Sequence, residues 1–394
     1  MLNAVIGGRG TGTARCGLAR RNGSPTSHMT NHRQLKPVRV GFVPLIDAAP
    51  IIMARELGLY EKYGLRVQLS REIGWATIRD KVIFGQLEAA HALAVMPFVT
   101  TFGQGCVACE CVTGLVLNLH GNGITLSNEL WKIGVRDAAS LRKVIELHRG
   151  QRTFTLGVVF PGSTHHYLLR EWLLGGGINP DTDIHLVIVP APSMLTSLRN
   201  GNLDGYCVGE PWNTAAVRAG LGWGAATSRQ LSPRHPEKVL LVRRDFAGQH
   251  TDEHLALIAA LIEACAWCDV PANREELARV LARRHYVNAP LEALRESLLD
   301  SFDFGHGRTE HIPDFHVFHQ GDANVPSPQK AAWVMNHLLA LSSRHPAVAP
   351  SPSAIPRIFR EDIYQAALRL VGQNPAPATP LTSVVPPKTE PVCC

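Results

Sequence analysis

The chain has no apolar run long enough to span a bilayer, and only 6% of its 394 residues are aromatic. Acid is scarce at the start: ahead of Glu56 the sole acidic residue is Asp47, while Arg9, Arg15, Arg20, Arg21 and Arg33 give the segment its charge. Those arginines are spaced by Gly, Ser and Thr without interleaved aromatics, which argues against a nucleic-acid surface. After Arg20 and Arg21 the sequence runs NGSPTSHMTNHRQ, with none of the apolar core that an export signal needs. Residues 1–37 therefore read as a disordered extension, or as sequence upstream of a true start at Met29, and a cytoplasmic location is expected. A membrane association is not.

Nor is there a disulfide framework. Nine cysteines are an odd number and fit a reducing compartment. Cys106, Cys109 and Cys111 form CxxCxC, and Cys265 and Cys268 form CxxC inside a helical pattern, but no knuckle glycine or turn accompanies the second pair. They are expected to be buried apolar thiols, and no metal or cofactor is implied. Cys393 and Cys394 close a Pro-, Thr- and Ser-rich tail from Asn374, which reads as disordered.

What is present is ordinary globular composition, 45% hydrophobic and 18% charged, over a length that allows two lobes. VRVGFV reads as a first strand, AAPIIMARELGLYEKYG as one helix ended by Gly64, and LRVQLSRE as a second strand. Alternation continues through a helix in GWATIRDKVIFGQ, a strand in LEAAHALA and a helix in MPFVTTFGQG, predicting a parallel sheet with helices on both faces. LVLNLHGNGITLS reads as a strand pair, and a second α/β unit follows over 138–208. The chain returns through HPEKVLLVRRDF and is mainly helical thereafter. The predicted fold is α/β and two-lobed, with a ligand cleft between strand ends of both lobes. The lobes are expected at 38–133 and 134–235, with 236–373 returning to the first.

One stretch, Phe160-Pro161-Gly162-Ser163-Thr164-His165-His166, joins a predicted strand to a predicted helix through a tight turn. Free backbone N–H groups and the positive end of the helix dipole would converge there, as suits a small anion.

The blocks GFVPLIDAAPIIMARELGLYEKYGL, GWATIRDKVIFGQLEAAHALAVMPF, FPGSTHHYLLREWLLGGGINPDTDI, GNLDGYCVGEPWN and HPEK resemble, in order, the nitrate and bicarbonate substrate-binding proteins of ABC transporters, which implies their type II periplasmic-binding-protein-like fold. Among them the chain looks most like the cytoplasmic nitrate/nitrite sensors of the NasS type. The resemblance implies no enzymatic activity and a partner, an ANTAR-domain RNA-binding antiterminator (NasT-like), held inactive and released when nitrate or nitrite binds. A transporter's substrate-binding component is the alternative. It places ligand binding at Trp75, Asn122, His165 and Lys238, with Gly162, Thr164 and Glu210 as further candidates. Asn122 stands where transporter-type nitrate binders tend to carry glutamine, and His120 where they tend to carry asparagine. In the bicarbonate-binding relatives the position of Lys238 looks acidic and works with a metal ion.

Nitrate offers acceptors only, so donors suit it: an indole N–H, an amide NH2, an imidazole N–H and an ammonium. The negative face of Trp75 would repel an anion, so its N–H edge is the expected contact. Each residue has a plainer role open to it. Trp75 fits a core aromatic, Asn122 the Asn-Gly turn of a hairpin, His165 a helix cap, and Lys238 a solvated lysine paired with Glu237. His166 competes with His165 to face the ligand. Trp212 is expected to pack, and the histidines of FGHGRTEHIPDFHVFH (His306, His311, His316, His319) to lie on a surface loop.

Overall fold

The computed structural model describes residues 37–342 and 352–373. Apart from Pro37, the expected N-terminal extension lies outside the described residues, as does the tail from Asn374.

Two sheets carry the fold. The first contains β1 (Val38–Phe42), β2 (Val67–Arg71), β3 (Ala89–Leu93), β4 (Cys111–Val112) and β5 (Val116–His120). The second contains β6 (Asn122–Ser127), β7 (Thr155–Val158), β8 (His185–Ile188), β9 (Gly205–Gly209) and β10 (Gly222–Thr227). The chain then returns to the first sheet with β11 (Pro236–Arg243), adds a hairpin of β12 (Ser301–Gly305) and β13 (Arg308–His311), and ends its strands with β14 (His316–Val317). The strand orders are β14-β5-β11-β3-β1-β2, with β4 on β11, and β10-β6-β9-β7-β8.

The parallel pairing expected from the alternation occupies one end of each sheet: β1 pairs parallel with β2 and β3, and β7 with β8 and β9. The strand laid down after each passage between sheets runs the other way. β6 is antiparallel to β9, and β11 is antiparallel to β3 and β5.

The first passage takes place at one residue. His120 and Gly121 both have positive φ, 60° and 88°, a region glycine tolerates and most residues avoid. A Cβ on Gly121 would also stand 2.7 Å from the His316 ring. The expected strand pair around His120-Gly121-Asn122-Gly123 is thus corrected: β5 and β6 exist but lie in different sheets. The lobe boundary moves with it, from 133 to Gly121. The expected single helix after β1 is also broken. It forms Ala49–Glu56 and Leu59–Lys62, separated at Gly58, whose φ of 68° ends the first segment.

Buried apolar residues fill each lobe. Ile124, Leu156, Leu169 and Trp223 pack in the second, and Val40, Leu115, Leu240 and Ile258 in the first. A larger cluster reaches across both, bringing Leu45, Met96 and Val239 together with Val159, Tyr206 and Trp212. Trp212 packs as expected and donates its indole N–H to Pro44 O at 3.3 Å. Cys265 and Cys268 are fully buried in the helix Thr251–Asp269. No single described helix is long and apolar enough to cross a membrane.

Candidate functional site

Four predicted residues from distant parts of the sequence meet at the cleft. Trp75 opens the helix Trp75–Ile83, and Lys238 lies on β11 between β3 and β5, opposite Leu93 and Asn118. Both belong to the first lobe. Asn122, at the start of β6, and His165, in the first turn of the helix Thr164–Gly175, come from the second. All four are buried.

Lys238 is not the solvated lysine its neighbour Glu237 suggested. It has no exposed surface, and its Nζ stands 2.7 Å from both Glu237 Oε1 and Asp47 Oδ2. Burial by itself would lower its pKa, but the two carboxylates more than offset this and hold it raised. Burial likewise opposes ionisation of the acids, and Lys238 and neighbouring histidines overcome it. Asp47 is held down at about 2, and Glu237 well below the usual carboxylate range. The Lys238 ammonium also lies 5.4 Å from the centre of the Trp75 ring. That contact occupies the negative face of the indole and leaves its N–H as the free edge.

Unpartnered polar atoms surround this ion cluster. Trp75 Nε1, both amide atoms of Asn122 and both ring nitrogens of His165 are buried with no hydrogen-bond partner. Since nearly all buried polar groups are paired in folded proteins, several orphans in one place point to a ligand. Asn122 is thereby more than a turn residue: its backbone N–H donates to Ser228 Oγ at 3.1 Å, and its side chain is left over. A Cβ on Gly209 would meet Asn122 Oδ1 at 3.3 Å and Asp47 Oδ2 at 3.5 Å, so amide and carboxylate border the same small space.

His165, not His166, faces the cluster. His165 Nδ1 is 3.7 Å from Glu237 Oε1, a contact between lobes, and burial pushes its pKa down to about 4 against the pull of Glu237. His166 turns outward, accepts the Gly162 N–H at its Nδ1 (3.2 Å), and lines a cavity of about 520 Å³ with Arg79, Phe160 and Leu338. Ser163 Oγ caps the His166 N–H. Gly162 lines that outer cavity too, and Thr164 is buried in the first helical turn.

The side chain of Glu210 is held on one oxygen and leaves Oε1 buried without a partner. Its Oε2 accepts from Thr214 N (3.2 Å) and Ser297 Oγ (3.0 Å), while its backbone joins the lobes through Gly121 O and Ile46 N. It is a support for the passage between lobes. Burial raises its carboxyl to about 7. A carboxyl that holds its proton more tightly when folded contributes stability below its ordinary value of 4.5, and that contribution is lost as pH rises to about 7. Glu210→Gln is expected to abolish this loss of about 3 kcal/mol, measured as a smaller gap between denaturation midpoints at pH 4.5 and pH 8.

Other members were not singled out from sequence. His91 sets its Nε2 2.8 Å from Asp47 Oδ1 without hydrogen-bond geometry and accepts the Val43 N–H at Nδ1 (3.4 Å), which marks the ring as neutral. Its own ring stands 5.2 Å from that of Trp75. His235 sets Nε2 3.3 Å from Glu237 Oε2. Asn118 Oδ1 and both nitrogens of His316 are further buried orphans. His316 corrects the expected surface loop: it is buried on β14 and stacks on Phe318, whereas His306 and His311 are exposed. Burial pushes its pKa down to about 3. Among the described residues no group of three or more His, Cys, Asp or Glu is arranged to hold a metal ion. A larger open cavity of about 790 Å³, lined by Arg229, Arg274 and Asp314, contains none of these orphans.

The two lobes and the buried donors between them define a ligand-binding protein of the two-lobed α/β class. Residues 31–282 match the NMT1-like family, and the chain belongs to that family. It is 33% identical over 353 residues to the nitrate/nitrite binding protein NrtA of Synechococcus elongatus, covering 86% of this chain and 79% of NrtA. The bicarbonate-binding protein CmpA of the same organism is 30% identical over 379 residues, covering 88% and 81%. The nitrate import ATP-binding protein NrtC of Synechocystis is 39% identical over 303 residues, but the chain spans only 45% of its length. Among solved structures, the periplasmic nitrate-binding protein NrtA from Synechocystis PCC 6803 superposes with a TM-score of 0.81 at 29% identity, over 88% of this chain and 93% of that one.

Proposed function

We propose that this protein binds nitrate or nitrite between its lobes and serves as the substrate-binding component of a transport system. The observation that carries this reading is the set of orphaned donors, Trp75 Nε1, Asn122 Nδ2 and the His165 ring, gathered around a buried lysine. An anion with acceptors only is matched by such a set. The named relatives support transport over the cytoplasmic sensor expected from sequence, whose further requirement is an antiterminator partner released by the anion.

Calorimetric titration of residues 29–394 with nitrate, nitrite, bicarbonate and sulfate tests the reading. Selective binding of nitrate or nitrite is expected. Binding of bicarbonate alone, or of none of the four, would overturn it. Asn122→Ala should weaken nitrate binding by about 1 kcal/mol, roughly five-fold, the worth of one hydrogen bond.

A further inference from the structure

The charges at the site do not favour an anion. Two buried carboxylates, Asp47 and Glu237, face one buried ammonium, Lys238. His91 accepts the Val43 N–H at Nδ1, which marks its ring as neutral, and holds Nε2 2.8 Å from Asp47 Oδ1. His235 sets Nδ1 2.6 Å from Ser232 O and Nε2 3.3 Å from Glu237 Oε2. Asp47, Glu237 and Lys238 together carry one net negative charge. An entering anion adds a further buried charge to it, and such a charge is costly.

His165 differs from these neighbours. It is fully buried, neither ring nitrogen has a partner, and Nδ1 stands 3.7 Å from Glu237 Oε1. The charged and titratable groups that face it are Glu237 and Lys238 on β11, His235 just before that strand, and Asp47 from the first lobe. A proton on this ring would put a cation beside Glu237 and offer a second N–H to the ligand. Resting on the anion-binding reading above, we propose that nitrate or nitrite enters the cleft together with one proton, which His165 takes up. The ring is neutral before binding, since burial holds its pKa at about 4, and the anion raises it. Nitrate brings no proton itself, so the proton comes from solvent.

The sign follows from linkage. Uptake on binding makes affinity fall as pH rises, with Kd increasing about tenfold per pH unit between the free and bound pKa values of the ring. The test is calorimetry with nitrate at pH 7 in Tris, imidazole and bis-tris, whose cationic acids offer no competing oxyanion. The slope of heat against buffer ionisation enthalpy should report close to one proton taken up, and Kd should rise roughly tenfold per unit from pH 6 to 8. His165→Gln should bind with no uptake and a flat pH profile, while His235→Gln should keep the uptake. Nitrate binding without uptake in the wild type would overturn the proposal and leave the anion reading standing. Loss of uptake in His235→Gln but not in His165→Gln would overturn it by naming the wrong ring. No nitrate binding at any pH would remove both. Should His165→Gln fail to fold, histidine ring 15N shifts of the wild type decide: nitrate should convert one ring from neutral to doubly protonated, and no such change would overturn the proposal.

Discussion

Lys238→Ala is expected to lower stability by about 3 to 5 kcal/mol and to weaken nitrate binding by roughly 10- to 100-fold or more. The stability loss comes less from the lysine's own contacts than from what remains. Asp47 and Glu237 are buried and would lose the ammonium that stands 2.7 Å from each, and breaking a buried pair from one side costs about 3 to 5 kcal/mol. The loss in affinity follows from removing a charge-assisted donor, worth about 1.5 to 3 kcal/mol.

The pH dependence separates this account from simple cavity formation. In the wild type Asp47 is held at about 2 and Glu237 lower than usual, so their stabilising ionisation persists above the unfolded values and is lost only as pH falls through the folded ones. Without Lys238 burial dominates and both carboxyls rise. The deficit of the variant should therefore be largest near pH 7 and shrink as pH is lowered toward 4, where the unpaired acids take up protons. Chemical denaturation of both proteins across that range measures it. A deficit independent of pH would mean that lost packing, and not stranded charge, is the cause.

The same cluster shows how far the sequence could be read. Trp75, His165 and Lys238 were singled out from blocks that resemble relatives, and Asn122 from a strand turn matched to them. Asp47 and His91 lie in such blocks too and were not singled out, although each carries a local signal: both are lone polar residues inside apolar runs, PLIDAAPII and AAHALAV. A charge or imidazole in such a run must find a partner when buried. Which partner is a matter of sheet order, since β3 and β11 become neighbours only after the chain has built a second lobe between them. His316 was hidden for the same reason. Its pairing with His120 across β14 and β5 joins positions remote in sequence, while its immediate surroundings read as a polar loop. The alternation of strands and helices was local and therefore recoverable. The passage at Gly121 was ambiguous, because Asn122-Gly123 gives the same signal for a hairpin and for a chain leaving one sheet for another. The strand pairing distinguishes them, β5 joining β11 and β14 while β6 joins β9 and β10, with the His316 ring filling the space beside Gly121.

Glu237→Gln is expected to act in the opposite direction from Lys238→Ala and tighten nitrate binding, by roughly 30- to 150-fold at pH 7.5. A carboxylate about 5 to 8 Å from a bound anion repels it by about 2 to 3 kcal/mol at an effective dielectric of 20. Glutamine removes that charge and keeps an oxygen able to accept from Lys238 Nζ, as Glu237 Oε1 does now at 2.7 Å. Asp47 then balances Lys238 alone, and an anion can bind with less need of a proton on His165. The rise of Kd with pH should flatten accordingly. The sign of the change decides between two uses of this acid. If binding tightens, Glu237 serves to make occupancy depend on proton uptake, at the expense of affinity. If binding weakens, the acid's chief work is to fix Lys238 and the histidines in place, and the repulsion is the smaller effect. Titration of wild type and variant with nitrate at pH 6 and pH 7.5 separates them, since only the first role predicts that the two proteins converge as pH falls.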